Sequence, residues 1–437
     1  MAAPDPLDLA GLLADPGPTT VADPEGAWAG SGAMALTGTP DVALAAPAGL
    51  TRRLAGLGGA LARASASAGR PVVVDALALL GERAALSGLV RQGEASCGGG
   101  TRLLAAADGW LAVSLGRPDD VDLLAAWLGR DLPPTDDLAP WTAVAATVAG
   151  RRVADLDERA ALVGLPVGVL GSAGALRPVA EAVAGDPAPP VPFVGALVVD
   201  LSSLWAGPLC AQLLGLAGAR VVKVESTRRP DGARSGPAPF YDLLHAGHQS
   251  VALDFERPDG RRALADLVAA ADVVIEGSRP RALEQLGLVA HDLVAGGPRV
   301  WLSITGHGRR EGARRVAFGD DAAVAGGLVA RHRARPLFCA DAVADPVTGL
   351  VAAAGTLAAW ARGGRWLLDV PLAGTAAVLA EAAGAGDWLT HRVEGGPGLV
   401  VAPPKARPVT GRAPDVGRDT RDVLAAVAAA HQAGPAA

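Results

Sequence analysis

The spacing of apolar positions changes near the middle of this chain. From residue 196 onward, short continuous apolar runs alternate with longer runs of helical period. "ALVVDLS" (196–202) is apolar on both faces and ends in polar residues, as a buried parallel strand does. "GPLCAQLLGLAGA" (207–219) follows, with Pro208 in its first turn and glycines at its end, which marks the start and stop of a helix. "RVVKVES" (220–226) and "SVALDF" (250–255) predict two more strands, and "PDGRRALADLVAAA" (258–271) a helix. "DVVIEG" (272–277) and "RVWLSITG" (299–306) predict strands on either side of a short helix, "RALEQLGL" (281–288). This alternation predicts an α/β fold built on a doubly wound, Rossmann-like parallel sheet. Ligands of such sheets bind beyond the carboxyl ends of the strands.

The first half has a different rhythm. Helical spacing covers 49–66, 75–93, 120–129 and 152–164, and "TRLLAAADGWLAVSLG" (101–116) predicts a hairpin turning at Asp108-Gly109. A smaller α+β domain is expected there. "AGDPAPPVPFVG" (184–195) carries prolines that fit neither helix nor central strand, so it reads as a linker. The expected organisation is a leader over 1–27, the α+β part over 28–183, the linker over 184–195, the Rossmann-like domain over 196–390, and a tail over 391–437. That tail is rich in Pro, Arg and Ala, with one helix expected at 419–433 and the rest loosely held.

Composition narrows the choice of function. Half the residues are hydrophobic but only 3 % are aromatic, so Ala, Leu and Val must fill the cores. A net charge of −6 speaks against a general nucleic-acid surface. Cys97, Cys210 and Cys339 are far apart and show no CxxC spacing, so neither a metal site nor a disulfide framework is expected. Three such cysteines fit a reducing cytoplasm. No apolar run reaches membrane-spanning length, and the N-terminus lacks the basic and apolar regions of a signal peptide.

Two places in the sequence carry candidate chemistry. In "LFCADAVADPVTGL" (337–350), Asp341 and Asp345 precede a small-residue helix, where capping is one explanation. A faint internal repeat weakens it: residues 49–80 parallel 349–379, yet Ala45 stands where the second copy has Asp345. The second place is "LSSLWAGPLCAQLLGLAGARVVKVES" (201–226), which resembles a dinucleotide-binding opening but lacks GxGxxG. Only Gly207 lies in its first turn, and Glu225 ends the second strand where a ribose-binding acid would stand. The following loop holds Arg228, Arg229 and Arg234, suited to phosphates through bidentate hydrogen bonds, although a solvated loop has the same composition. A nucleotide-like ligand other than NAD fits these residues.

Together, 198–226, "LLHAGHQSVALDFERPDGRRALADLVAAADVVIEGSRPRALEQLGL" (243–288) and "SITGHG" (303–308) resemble the family III (CaiB/BaiF-type) CoA-transferases, continuously over about 196–380. The resemblance implies that Asp345 is a catalytic nucleophile, with Asp341 a neighbour of open role. It implies CoA contacts at Leu204, Trp205, Ala206, Gly207, Glu225, Arg228, Arg229, Gly277 and Ser278. Segments of the first half resemble the family out of order. "SGAMALTGTPD" (31–41) is similar to what normally precedes the catalytic aspartate, whereas "SCGGGTRLLAAADGWLAVSLG" (96–116) and "LVGLPVGVL" (162–170) are similar to the glycine loop and small domain that normally follow it. Two partial modules in exchanged order are expected. Gly98, Gly99 and Gly100 would then supply oxyanion-binding N–H groups; by residue type alone they are equally a flexible turn.

The family's implied activity moves CoA between an acyl-CoA and a carboxylic acid through an aspartyl-CoA thioester. CoA is a substrate there, no cofactor or metal is resident, and a homodimer is the expected assembly. Departures stand beside the match. Gly277-Ser278 replaces an Asn-Phe pair, Ser226 replaces an arginine, and His307 stands where an aromatic is common. In "FGDDAAVAGG" (318–327), Asp320 takes the place of the racemases' histidine, which argues against two-base racemisation. The alternatives are an acyl-CoA racemase or isomerase using Asp345 as base, and a CoA-binding protein without turnover.

Overall fold

Seven strands form the central sheet, in the spatial order Val179–Ala182, Trp366–Asp369, Val300–Ser303, Val273–Glu276, Leu197–Leu201, Arg220–Ser226, Gln249–Leu253. The computed structural model describes residues 7–132, 140–277, 280–310, 312, 314–383, 388–392 and 399–433. All neighbouring strands run parallel except Val179–Ala182, which pairs antiparallel with Trp366–Asp369 at the edge. In chain order the parallel strands read 3-2-1-4-5-6, the doubly wound arrangement. The order reverses between Leu197–Leu201 and Val273–Glu276, which opens a crevice at their carboxyl ends.

Strand formation follows from burial on both faces. Val198, Val199, Val222, Val273, Val274 and Ile275 are buried, and β-branched side chains pack well on a pleated surface. The expected helices after the first and third parallel strands form as Ala206–Leu216 and Pro258–Ala270. Two expected helices shrink. The span 281–288 yields only Pro280–Glu284, and 75–93 yields a 3-10 turn at Ala78–Gly81 followed by Glu82–Ser87. Gly88 ends that last helix with φ 67°, a left-handed cap that glycine adopts at no steric cost.

Helix Ala48–Ala68 packs along helix Ala344–Arg362, so the two copies of the faint repeat meet face to face. Leu50, Leu54, Leu57 and Leu61 recur at helical spacing and share one core with Val347, Leu350, Val351 and Ala354. The repeat is incomplete, because 71–75 stays extended and joins no strand. Strands Thr101–Ala105, Trp110–Ser114 and Val167–Val169 form a separate antiparallel sheet, turning at Asp108-Gly109. Helices Leu123–Leu128 and Val153–Val163 close a core over that sheet around the fully buried Trp127.

Two irregular stretches are firmly held. In 184–195, Phe193 is fully buried edge-on to Trp360, and Trp360 Nε1 donates to the Val191 carbonyl at 2.7 Å. In 399–418, expected to be loose, Pro404 lies against Gly32 and Gly81. Arg407 pairs with the buried Glu82 at 2.6 and 2.9 Å. Thr420–Ala433 then forms the expected helix beside Pro258–Ala270.

One glycine of the small sheet packs tightly against the helix that carries Asp320 and Asp321. Helix Gly319–Ala325 packs on strand Val167–Val169, and a Cβ at Gly168 would collide with the Asp321 carbonyl. Gly168→Ala must therefore push the helix outward, at a cost of about 1–3 kcal/mol. Urea unfolding should show that loss; an unchanged midpoint would mean the contact is looser than the structure has it.

Candidate active site

A cavity of about 480 Å³ brings Asp345 together with the glycine loop, the Leu204–Trp205 turn and Arg83. A larger cleft of about 590 Å³ lies elsewhere, between Leu162 and Gln285, and contains none of these groups. Asp345 sits in the first turn of helix Ala344–Arg362. It does not cap the helix, since the cap is Val343, without a side-chain hydrogen bond. The carboxylate points at the cavity instead, and an added Cβ on Gly319 would lie 2.5 Å from its Oδ2.

The turn before this helix is unusual. Ala340 and Ala342 have φ of 52° and 43°, the left-handed region that L side chains resist. Each is fixed by a hydrogen bond: Ala340 N–H donates to Thr37 Oγ1 at 3.0 Å, and Ala342 N–H donates to Asp320 Oδ1 at 3.2 Å. Between them, the fully buried Asp341 accepts from Arg83 Nε at 2.9 Å and Nη2 at 2.5 Å. Asp341 is thus the anchor of the turn, and Asp345 is the carboxylate left facing the cavity.

Four carboxylates cluster here around one guanidinium. Burial pushes Asp345 up to about 7; Arg83 pulls against this, while Asp320, Asp321 and Asp341 add to it. Asp320 rises to about 6, chiefly through burial. Asp321, wholly buried, rises to about 7 although it accepts from Ser114 Oγ at 2.6 Å and the Phe318 N–H at 3.0 Å. Burial opposes the charge of Arg83, but its carboxylate neighbours, Asp341 above all, hold it firmly protonated.

The glycine loop divides its labour. Gly99 makes the turn, with φ 75° and its N–H donated to the Ser96 carbonyl at 2.8 Å. Gly98 and Gly100 line the cavity, and their N–H groups have no hydrogen-bond partner among the described residues. Ser96 Oγ accepts from the Thr101 N–H at 3.1 Å and so braces the loop.

The expected CoA contacts separate into two groups. Leu204, at φ 72°, and Trp205 line the cavity, and Trp205 lies under the Arg83 guanidinium and edge-on to Phe240. Ala206 and Gly207 are buried behind them, with Gly207 packed on Ser202. Glu225 does not reach the cavity. It accepts from the Asp231 N–H at 2.9 Å and forms a bidentate pair with Arg234, which folds the 226–236 loop onto the strand ends. Lys223 works from the same strand, pairing with Asp231 at 3.1 Å and Asp200 at 3.6 Å. Arg228 pairs with Asp254 and Glu256 at the surface, and Arg229 is exposed away from the cavity. Gly277 lies exposed at the crevice beside Ser202, and Ser278 falls outside the described residues. His307 is a packed residue whose burial lowers it to about 4.

Sequence reasoning missed Arg83. Nothing in "LLGERAALSG" distinguishes it from any arginine on a helix. It also missed Gly319, whose lack of a side chain lets backbone approach Asp345.

These features define an α/β protein of Rossmann-like topology with a buried-carboxylate site. Residues 194–395 match the family model described as CoA-transferase family III. An "Acyl-CoA transferase" of Fusarium pseudograminearum is 31 % identical over 179 residues, covering 36 % of this chain and 39 % of that one. The "Succinyl-CoA--L-malate CoA-transferase beta subunit" of Chloroflexus aurantiacus is 34 % identical over 182 residues, covering 39 % of this chain and 45 % of that one. The match thus spans less than half the length of these relatives. A solved CAIB/BAIF family protein from Brucella suis is 30 % identical, with a TM-score of 0.38 over 43 % of this chain and 55 % of that one.

Holding an ionised carboxylate in this cluster has a cost that depends on pH. Asp345 ordinarily titrates at 3.8 and here near 7, so its contribution to stability is lost as pH rises through that window. Asp345→Asn should therefore melt above the wild type at about pH 8, with the gap closing as pH falls toward 4. Melting curves of the two proteins across that range would check the sign. A wild type as stable as the variant at the alkaline end would contradict it.

Proposed function

We propose that the chain moves CoA between an acyl-CoA and a carboxylic acid, with Asp345 as the nucleophile. The observation that carries this is the meeting of Asp345 with two unpartnered glycine N–H groups in one cavity. The match of residues 194–395 to the CoA-transferase family III model supports it, as do the activities named for the relatives.

The steps balance without an outside energy source. The ionised carboxylate of Asp345 adds to the thioester carbonyl, and the C–S bond breaks to release CoA thiolate and leave a mixed anhydride. Thiolate then attacks the aspartyl carbonyl, and the donor acid leaves as its carboxylate. This gives an aspartyl-CoA thioester. An acceptor carboxylate attacks that thioester and expels thiolate, which attacks the acceptor's acyl carbon. A new acyl-CoA forms and the carboxylate of Asp345 returns.

Each addition places negative charge on a carbonyl oxygen. The N–H groups of Gly98 and Gly100 are the donors for it, and such a donor is worth about 2.7–4 kcal/mol. Their freedom from other partners means no protein hydrogen bond must break first. Arg83 acts as a positioning residue: through Asp341 it fixes the turn that aims Asp345, and its charge favours the ionised nucleophile. The glycine loop and Asp345 that line this cavity belong to the same chain.

Intact-protein mass after mixing with a panel of acyl-CoAs tests the covalent step. A CoA-sized adduct, labile to hydroxylamine and absent from Asp345→Asn, is the expected result; tight CoA binding with no adduct from any donor would end this reading. The pH profile is a second check. Since the ionised form reacts, kcat/KM should rise with pH through about 7. Removing the Arg83 charge, as in Arg83→Gln, should move that rising limb to higher pH. A limb that stays in place would show that Arg83 does not act on Asp345.

A further inference from the structure

The wall of the cavity says which acyl groups it accepts. Among the described residues lining it, Arg83 is the single basic side chain. Two of its nitrogens are committed to Asp341, which is fully buried and has no other charged partner. Its guanidinium also lies over the Trp205 ring, 5.3 Å from the centroid, which fixes its plane. Drawing it away would strand the Asp341 charge in the interior, a strongly unfavourable change. The other ionisable groups on the wall are Asp320 and Asp345, both acids. Much of the remaining surface is apolar: Leu89, Leu204, Trp205, Pro237, Phe240 and Phe318.

A second carboxylate on the substrate would meet this wall with no free cation to receive it. It would add a negative charge beside Asp320 and beside the nucleophile, which must itself be ionised to react. Within a partly desolvated cavity that repulsion is little screened. An uncharged alkyl or aryl chain meets the leucine and aromatic surfaces instead.

Resting on the transferase reading above, we propose that the cavity selects acyl-CoAs of uncharged, apolar monocarboxylic acids. It discriminates against dicarboxylyl groups such as the succinyl group in the printed names of several relatives. Glutaryl-CoA and hexanoyl-CoA present acyl chains of similar length that differ in the terminal charge. The rate of enzyme–CoA adduct formation per unit concentration should be about 10-fold or more lower for glutaryl-CoA, given the difficulty of burying an unpaired carboxylate. Asp320→Asn, which keeps an oxygen to accept the Ala342 N–H, should narrow the difference by removing one acid. Equal rates, or a faster glutaryl-CoA, would overturn the proposal and show that the remaining edge of Arg83 binds a carboxylate. If no acyl-CoA of the wider panel, these two included, forms an adduct, the transferase reading falls. Calorimetric affinities of the wild type for the same two thioesters then still decide the order, and a tighter glutaryl-CoA would refute the selection.

Discussion

The pairing of Arg83 with Asp341 is the constraint on which the site rests. A fully buried carboxylate is strongly unfavourable unless it is paired and hydrogen-bonded, and this one receives two donors from a planar guanidinium. The pair joins positions 258 residues apart in the chain, so it can form only when both halves are folded together. Its consequences spread along the backbone. Ala340 and Ala342 take left-handed conformations on either side of Asp341, and helix Ala344–Arg362 begins at an angle that turns Asp345 toward the cavity. A cap would have stabilised the helix end; the carboxylate is presented to a ligand space instead.

That arrangement also explains why the N-terminal part and the sheet cannot be understood separately. Thr37 holds Ala340 from one side, and Cys97 Sγ lies 3.6 Å from the Leu36 carbonyl and 3.5 Å from that of Ala340. Helix Ala48–Ala68 supports the length of Ala344–Arg362. The glycine loop enters from the small antiparallel sheet, whose Ser114 reaches Asp321 next to Asp320. Every wall of the cavity therefore comes from a different part of the chain, and the buried polar contacts between them fix their relative positions.

The strands were legible because a parallel sheet buried on both faces leaves continuous β-branched runs, and 220–226 coincides with its strand to the residue. The contrast of an acid with the small residues around it drew attention to Asp345 but fitted a helix cap as well, and only the structure shows that Val343 is the cap and that Asp345 lines the cavity. Glu225, Arg228 and Arg234 were harder, because a charged group at a strand end has the same sequence signature whether it grips a ligand or a neighbouring side chain. In this structure Glu225 pairs with Arg234, and Arg228 pairs with Asp254 and Glu256. Arg83 was not legible at all, since its partner lies far along the chain and no local pattern announces it. The firm hold on 399–418 was hidden for a similar reason, as Arg407 finds Glu82 across 325 residues.

The glycine loop shows how the same residues can carry both structural and chemical demands. Three consecutive glycines suggest freedom, yet only Gly99 needs it, for its positive φ and its bond to Ser96. Gly98 and Gly100 matter for what they leave open. Their N–H groups have no partner among the described residues, and both glycines line the cavity without a side chain. Asp320 and Asp345, which share the cavity lining with the loop, are both raised, chiefly by burial. Arg83, held by Asp341, opposes the rise that burial and the neighbouring acids impose on Asp345.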